Sequence, residues 1–132
     1  MFLPLPRATV LAATDPNNPK ERHLFVLLTE PLGEQEEVLM VNISSVRPDV
    51  PHDDACLIDC GEHPFVKRLS YVVYRRAWRV PLADLVAAVE SNKMIPHRPV
   101  ARELYDRICA GLKASMYASP EIKALLHWQE AI

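Results

Sequence analysis

HLFVLLT, residues 23–29, is the stretch that decides the fold. It is a nearly continuous apolar run of the length that a strand needs, and a turn signal, Glu30-Pro31-Leu32-Gly33, ends it. A strand with one face in water would alternate polar and apolar residues, and this run does not alternate. The sequence therefore predicts a strand buried on both faces, at the centre of a closed sheet or barrel.

Shorter strand-like segments lie on both sides of this run. Towards the N-terminus, Arg7–Thr14 (RATVLAAT) is rich in small apolar residues and stops at the turn signal DPNNP, residues 15–19. Towards the C-terminus the strand-like segments are Glu37–Ile43, Ala55–Asp59 and Tyr71–Arg75, the last reaching towards Trp78. Five or six short strands with irregular connections predict a small barrel or a strongly curved sheet.

After Pro81 the apolar residues recur with a helical period. Leu82, Leu85, Val86 and Val89 predict a helix over 81–90, and a repeat every four residues predicts a longer helix over Arg98–Ala114. Ser119-Pro120-Glu121 is a typical helix start. We therefore expect a single domain, 1–132, that is mainly β with C-terminal helices (α+β): a barrel portion over 1–79, and two or three helices over 80–132 packed on it.

Composition excludes several classes of protein. The formal net charge of −2 provides no global field that attracts nucleic acid, so a nucleic-acid site has to be a local basic patch. Three cysteines at irregular spacing argue against a secreted disulfide framework. No apolar run approaches the ~20 residues that span a bilayer, and the N-terminus lacks the basic start of a signal peptide. We expect a cytoplasmic protein without membrane contact.

Two kinds of chemistry centre on residues 52–63. His52, Cys56, Cys60 and His63 are metal-ligand types, but their spacing, H-x3-C-x3-C-x2-H, matches no compact zinc pattern, so we expect no metal or other cofactor. Cys60, with His63 three residues on, has the composition of a thiolate nucleophile. Neighbouring carboxylates oppose a thiolate there, and a cysteine that simply packs is the alternative.

A second constellation is a set of basic and polar residues on loops and strand ends. Such groups position phosphates, and RNA cleavage at a 2′-hydroxyl needs a base, an acid and a cation at the phosphorane. Scattered solvated charges are the alternative interpretation. Tyr71, Tyr74 and Trp78 could stack bases, although the odd offset between Tyr71 and Tyr74 predicts that at most one of those two faces outwards. The set consists of Lys20, Arg22, His23, Ser44, Ser45, Arg47, His63, Lys67, Arg68, Arg75 and Arg76.

Three segments together resemble the MazF/PemK family of toxin–antitoxin ribonucleases. Thr9–Pro16 (TVLAATDP) is similar to that family's first strand and Asp-Pro turn, and Glu21–Thr29 (ERHLFVLLT) to the end of its basic loop and its second strand. Val38–Ser45 (VLMVNISS) is similar to the strand that leads to the family's catalytic Ser/Thr. The resemblance implies an SH3-like barrel that acts as a homodimer and is neutralised by a cognate antitoxin protein.

The resemblance also implies an activity and a set of site residues. The implied activity is that of an endoribonuclease that cuts single-stranded RNA through the 2′-hydroxyl without a metal. Arg22 falls at the catalytic arginine, and Ser44 or Ser45 at the hydroxyl that contacts the scissile phosphate. The expected substrate-binding residues around them are Lys20, His23, His63, Lys67 and Arg75.

Two non-catalytic functions stay open at this stage. One is an SH3-like barrel that inhibits growth by binding a protein. The other is an accessory domain that binds a small molecule or a peptide.

Overall fold

The computed structural model describes residues 2–131, and these form six strands and three helices. The elements in chain order are β1 (Thr9–Ala13), β2 (Arg22–Leu27), β3 (Glu37–Ser45), β4 (Leu57–Ile58), β5 (Ser70–Pro81), α1 (Leu82–Glu90), β6 (Ile95–His97), α2 (Arg102–Ala114) and α3 (Pro120–Ala131).

The six strands form one curled antiparallel sheet, a half-barrel, in the order β4-β5-β3-β2-β1-β6. This confirms the expected fold class, mainly β with C-terminal helices. The strand β2 lies inside the sheet between β1 and β3, as its apolar run predicts. Leu24 and Val26 face one core, whereas Phe25 and Leu27 face another, so β2 is buried on both faces.

The two cores lie on opposite faces of the sheet and use different helices. The larger core packs the sheet against α2 and α3 through residues such as Ile108 and Leu126. The smaller core packs it against α1, where Leu85 is fully buried. Full burial of one such leucine stabilises the fold by about 1.5–3 kcal/mol. The helical segments therefore cover both faces of the sheet and hold it in its curled form.

The structure corrects the predicted boundaries in the second half of the chain. The strand β5 continues to Pro81, and the predicted helical portion contains a strand, β6, which pairs with β1. The helix α2 begins at Arg102 rather than Arg98, because Pro99 lacks an amide donor and disfavours a helical conformation at Arg98. At α3 the predicted start is correct, since the Ser119 hydroxyl accepts a bond from the Ile122 amide at 3.2 Å.

A glycine brings α2 into direct contact with the sheet. The Tyr74 hydroxyl of β5 donates to the Ile108 carbonyl of α2 at 2.7 Å, and its burial raises the pKa of Tyr74. A Cβ added at Gly111 would collide with that hydroxyl and come within 3.0 Å of the Cys56 side chain. Helix and strand can approach this closely only because residue 111 has no side chain.

None of the helices within residues 2–131 has the length and apolar composition needed to cross a bilayer.

Candidate functional site

A cleft of about 260 Å³ opens at the end of the sheet where β2 begins and β3 ends. The loop between β4 and β5, residues 59–69, supplies its other wall. We call this site the basic cleft. Its lining residues are Glu21, Arg22, His23, Ile43, Ser44, Ser45, Arg47, Phe65, Val66, Lys67, Arg68 and Ser70.

Sheet register brings Arg22 and the serines to the same place. Leu24 of β2 pairs with Ile43 of β3, and two residues beyond that pair on each strand Arg22 and Ser45 line the same cleft. Ser44 and Ser45 are half-buried and extend β3 beyond its apolar part. The structure thus brings together one guanidinium from the first residue of β2 and two hydroxyls from the last two residues of β3, the strands that one hairpin connects.

The cleft concentrates positive charge in a protein whose net charge is negative. Four cationic side chains line it, and Glu21 is the single carboxylate among its lining residues. All four are exposed, and within residues 2–131 none has a carboxylate within 4.0 Å. Cations without protein partners are available to phosphate oxygens. The four are Arg22, Arg47, Lys67 and Arg68.

His23 adds a group that can transfer a proton. Its Nδ1 lies 3.4 Å from the Ile43 carbonyl, a long and weak bond that is compatible with an Nδ1–H donor. Its Nε2 lies 3.9 Å from a Glu21 carboxylate oxygen, at the side of the cleft. Histidine is the side chain best suited to taking or giving a proton near neutral pH.

His63, one of the expected substrate-binding residues, is not among the residues that line the cleft, and it supports the cleft wall from inside the fold. It is 2% exposed, its Nε2 donates to the Arg98 carbonyl at 2.6 Å, and its Nδ1 accepts from the Phe65 amide at 3.0 Å. Burial lowers the pKa of His63, which favours this neutral form. The buried imidazole therefore anchors the loop from which Lys67 and Arg68 project.

Two further expected substrate-binding residues also lie apart from the cleft. Lys20 is exposed in the turn before β2 and is not among the lining residues. Arg75 is exposed on β5 and lines a different pocket. Both residues belong to the basic set that the sequence suggests. In the fold, however, Arg75 lies further along β5 and lines the other pocket.

The pocket beside Arg75 is aromatic, and we call it the aromatic pocket. Tyr71 lines it and is half-buried, whereas Tyr74 is 1% exposed, so only one of the pair faces outwards, as their offset predicts. Tyr117, from the connection between α2 and α3, completes it. Nothing local in the sequence marks Tyr117, because only the packing of α2 brings it to β5. The pocket is lined by Pro51, His52, Asp53, Tyr71, Val73, Tyr74, Arg75 and Tyr117.

The four residues of metal-ligand type at positions 52–63 lie in four different environments and do not form one site. His52 lies 2.8 Å from Asp54, and Cys56 is buried in the larger core. Cys60 is exposed, and His63 bonds to Arg98. Within residues 2–131 no group of three or more His, Cys, Asp or Glu side chains is arranged to hold a metal ion.

No family model matches this chain, and neither curated proteins nor solved structures give a match to it.

Proposed function

We propose that the basic cleft binds the backbone of single-stranded RNA and that the protein is a metal-independent endoribonuclease. The observation that carries this proposal is the convergence of Arg22 with Ser44 and Ser45 in a cleft whose four cations have no carboxylate within 4.0 Å among residues 2–131. The residues that meet are a guanidinium, two hydroxyls and an imidazole. Transfer of a phosphoryl group to a 2′-oxygen needs positive charge, hydrogen-bond donors and a group that carries a proton, and these side chains supply all three.

The proposed reaction is attack by the 2′-oxygen on the adjacent phosphorus. His23, through Nε2, takes the 2′-hydroxyl proton, the new 2′-O–P bond forms, and the P–O5′ bond breaks. Arg22 and one serine hydroxyl stabilise the phosphorane oxygens, on which negative charge develops. The leaving 5′-oxygen takes a proton from water and becomes a 5′-hydroxyl, while His23 returns its proton to the solvent. The other product ends in a 2′,3′-cyclic phosphate. Lys67 and Arg68 hold neighbouring phosphates in register with the cleft.

The biological setting that we propose is a type II toxin–antitoxin system in the cytoplasm. Its support is the resemblance of the β1–β3 region to the MazF/PemK family, together with the half-barrel architecture. On this proposal the chain is the toxin and acts as a homodimer. Its cognate antitoxin neutralises it by covering the four cations of the basic cleft.

The test is cleavage of single-stranded RNA by the purified protein in the presence of EDTA. We expect fragments that end in 2′,3′-cyclic phosphate, and no cleavage of the same strand made with 2′-deoxyribose. Arg22→Ala should lower kcat by about 10²–10³-fold, the usual loss when one transition-state donor is removed. Because Arg22 is exposed, the circular dichroism spectrum and melting temperature should stay unchanged.

Arg102→Ala is the matched control, since Arg102 is an exposed arginine on α2 that does not line the cleft. This variant should cleave at the wild-type rate. Absence of cleavage together with absence of growth arrest on expression would refute the proposal. Growth arrest that persists in Arg22→Ala would instead identify a non-catalytic inhibitor that acts by binding a protein.

A further inference from the structure

The aromatic pocket continues the basic cleft along one side of the molecule. A small connecting pocket touches both sites, because it shares Ser45 and Arg47 with the basic cleft and His52 and Tyr71 with the aromatic pocket. A polynucleotide strand in the basic cleft can therefore continue over Arg47 into the aromatic pocket. The groups along this path change from cationic to aromatic.

Four aromatic rings, those of His52, Tyr71, Tyr74 and Tyr117, line the aromatic pocket. The His52 and Tyr71 centroids are 5.3 Å apart with an angle of 44° between the planes, so the rings are tilted rather than stacked face to face. Tyr117 is 62% exposed on the rim. The pocket volume is about 100 Å³. One water needs roughly 10–15 Å³ on the same measure, so the pocket admits a group larger than water.

Hydrogen bonds hold the rim of this pocket in place. The Ser115 hydroxyl donates to Asp53 Oδ2 at 2.6 Å, and the same hydroxyl oxygen accepts from the Tyr117 amide at 3.0 Å. Asp53 Oδ1 in turn accepts from the Ala55 amide at 2.8 Å. These bonds tie the α2–α3 connection to the segment before β4. An exposed tyrosine on a fixed backbone loses less conformational entropy when a ligand binds.

We propose that the aromatic pocket is a base-binding subsite for single-stranded RNA. It takes the base of a nucleotide that neighbours the phosphate in the basic cleft, by stacking on Tyr117 and Tyr71. Arg75, which is exposed at the same pocket, supplies a cation for the phosphate of that nucleotide. Every base has a π-face, so such a subsite adds affinity without strict sequence readout. The inference rests on the proposed function, because it requires an RNA strand in the basic cleft.

The test measures binding separately from cleavage, by fluorescence anisotropy with a labelled single-stranded 2′-O-methyl oligonucleotide. This probe has no free 2′-hydroxyl and stays intact. Tyr117→Ala should weaken its binding by about 5- to 150-fold, the range found when a stacking aromatic is removed. Tyr117→Phe should bind as the wild type does. Trp128→Ala, which removes a 55% exposed aromatic of α3 that does not line the pocket, should leave affinity unchanged.

A second probe of equal length and charge, built from abasic residues, separates the base from the backbone. It should bind to the wild type more weakly than the base-bearing probe does. Because it has no base to stack, its own affinity should be the same for the wild type and for Tyr117→Ala. Equal affinities of wild type and Tyr117→Ala for the base-bearing probe would overturn the subsite, and so would equal affinities of the wild type for both probes.

Cleavage of unmodified RNA is scored in parallel, so that the two proposals fail separately. If binding depends on Tyr117 but no cleavage occurs, the base-binding subsite is supported and the ribonuclease proposal is refuted. If cleavage depends on Arg22 but binding is the same with and without the Tyr117 side chain, only the subsite proposal is refuted.

Discussion

Salt dependence of RNA binding gives a direct count of the cations that contact phosphate. For a single strand, log affinity falls against log salt concentration with a slope of about −0.7 for each phosphate that is neutralised. Four cations line the basic cleft, and in the described part of the chain, residues 2–131, none of them forms an ion pair with a carboxylate. If these four alone are engaged, without Arg75 of the aromatic pocket, the slope is about −2.8, and raising salt from about 50 to about 200 mM weakens binding about 50-fold.

Removal of one cation should change that slope by a known step. Lys67→Ala should have a slope of about −2.1, and the same rise in salt should then weaken binding about 20-fold. The assay is fluorescence anisotropy of the uncleavable 2′-O-methyl strand over a series of salt concentrations. Lys93→Ala, at an exposed lysine after α1, is the control and should keep the wild-type slope. A wild-type slope shallower than about −0.7, or equal slopes for wild type and Lys67→Ala, would refute the assignment of the cleft to phosphate.

Two further predictions concern stability. Gly111→Ala should lower the free energy of unfolding by about 1–3 kcal/mol, because the collision with Tyr74 outweighs the gain of about 0.5–1 kcal/mol in helix propensity. The loss in urea denaturation should be smaller in a Tyr74→Phe background, and equal losses in both backgrounds would contradict the collision. The pKa of His63 is lowered in the fold, so as pH falls below 6.5 the unfolded chain binds more protons and stability falls. The urea midpoint of the wild type should therefore drop more steeply from about pH 7 to about pH 5 than that of His63→Gln, and parallel curves would exclude His63 as the cause.

The strands that could be predicted are those whose own residues carry the signal. The run at residues 23–29 is apolar without alternation because both of its faces meet a core. Its position inside the sheet could therefore be predicted from its own residues. The helix α2 could be predicted for the same reason, because its apolar residues Leu104, Ile108 and Leu112 recur at helical spacing and are buried. The three residues of β6, Ile95–His97, carry no such signal and become a strand only by pairing with β1.

The site could be predicted only where strand neighbours determine it. Arg22 and Ser45 each lie two residues beyond the paired Leu24 and Ile43, so their proximity follows from two adjacent strands. A histidine such as His63 is a residue type that often binds ligands, so the sequence favours a site role. Its buried position in the cleft wall depends on the Arg98 carbonyl, 35 residues away in sequence, and on the surrounding core. Tyr117 reaches its pocket through the packing of α2, which depends on long-range contacts that no local pattern records.

The edges of the sheet limit how copies of this chain can associate. At one edge β6 has three residues, and Pro96 provides no amide donor. At the other edge β4 covers only Ser70 and Tyr71 of β5, and the uncovered part of β5 carries Arg75, Arg76 and Arg79. Short strands, proline and positive charge all oppose the docking of another strand. Self-association by continuing the sheet from one copy into the next is therefore disfavoured, and a dimer has to form through side-chain surfaces.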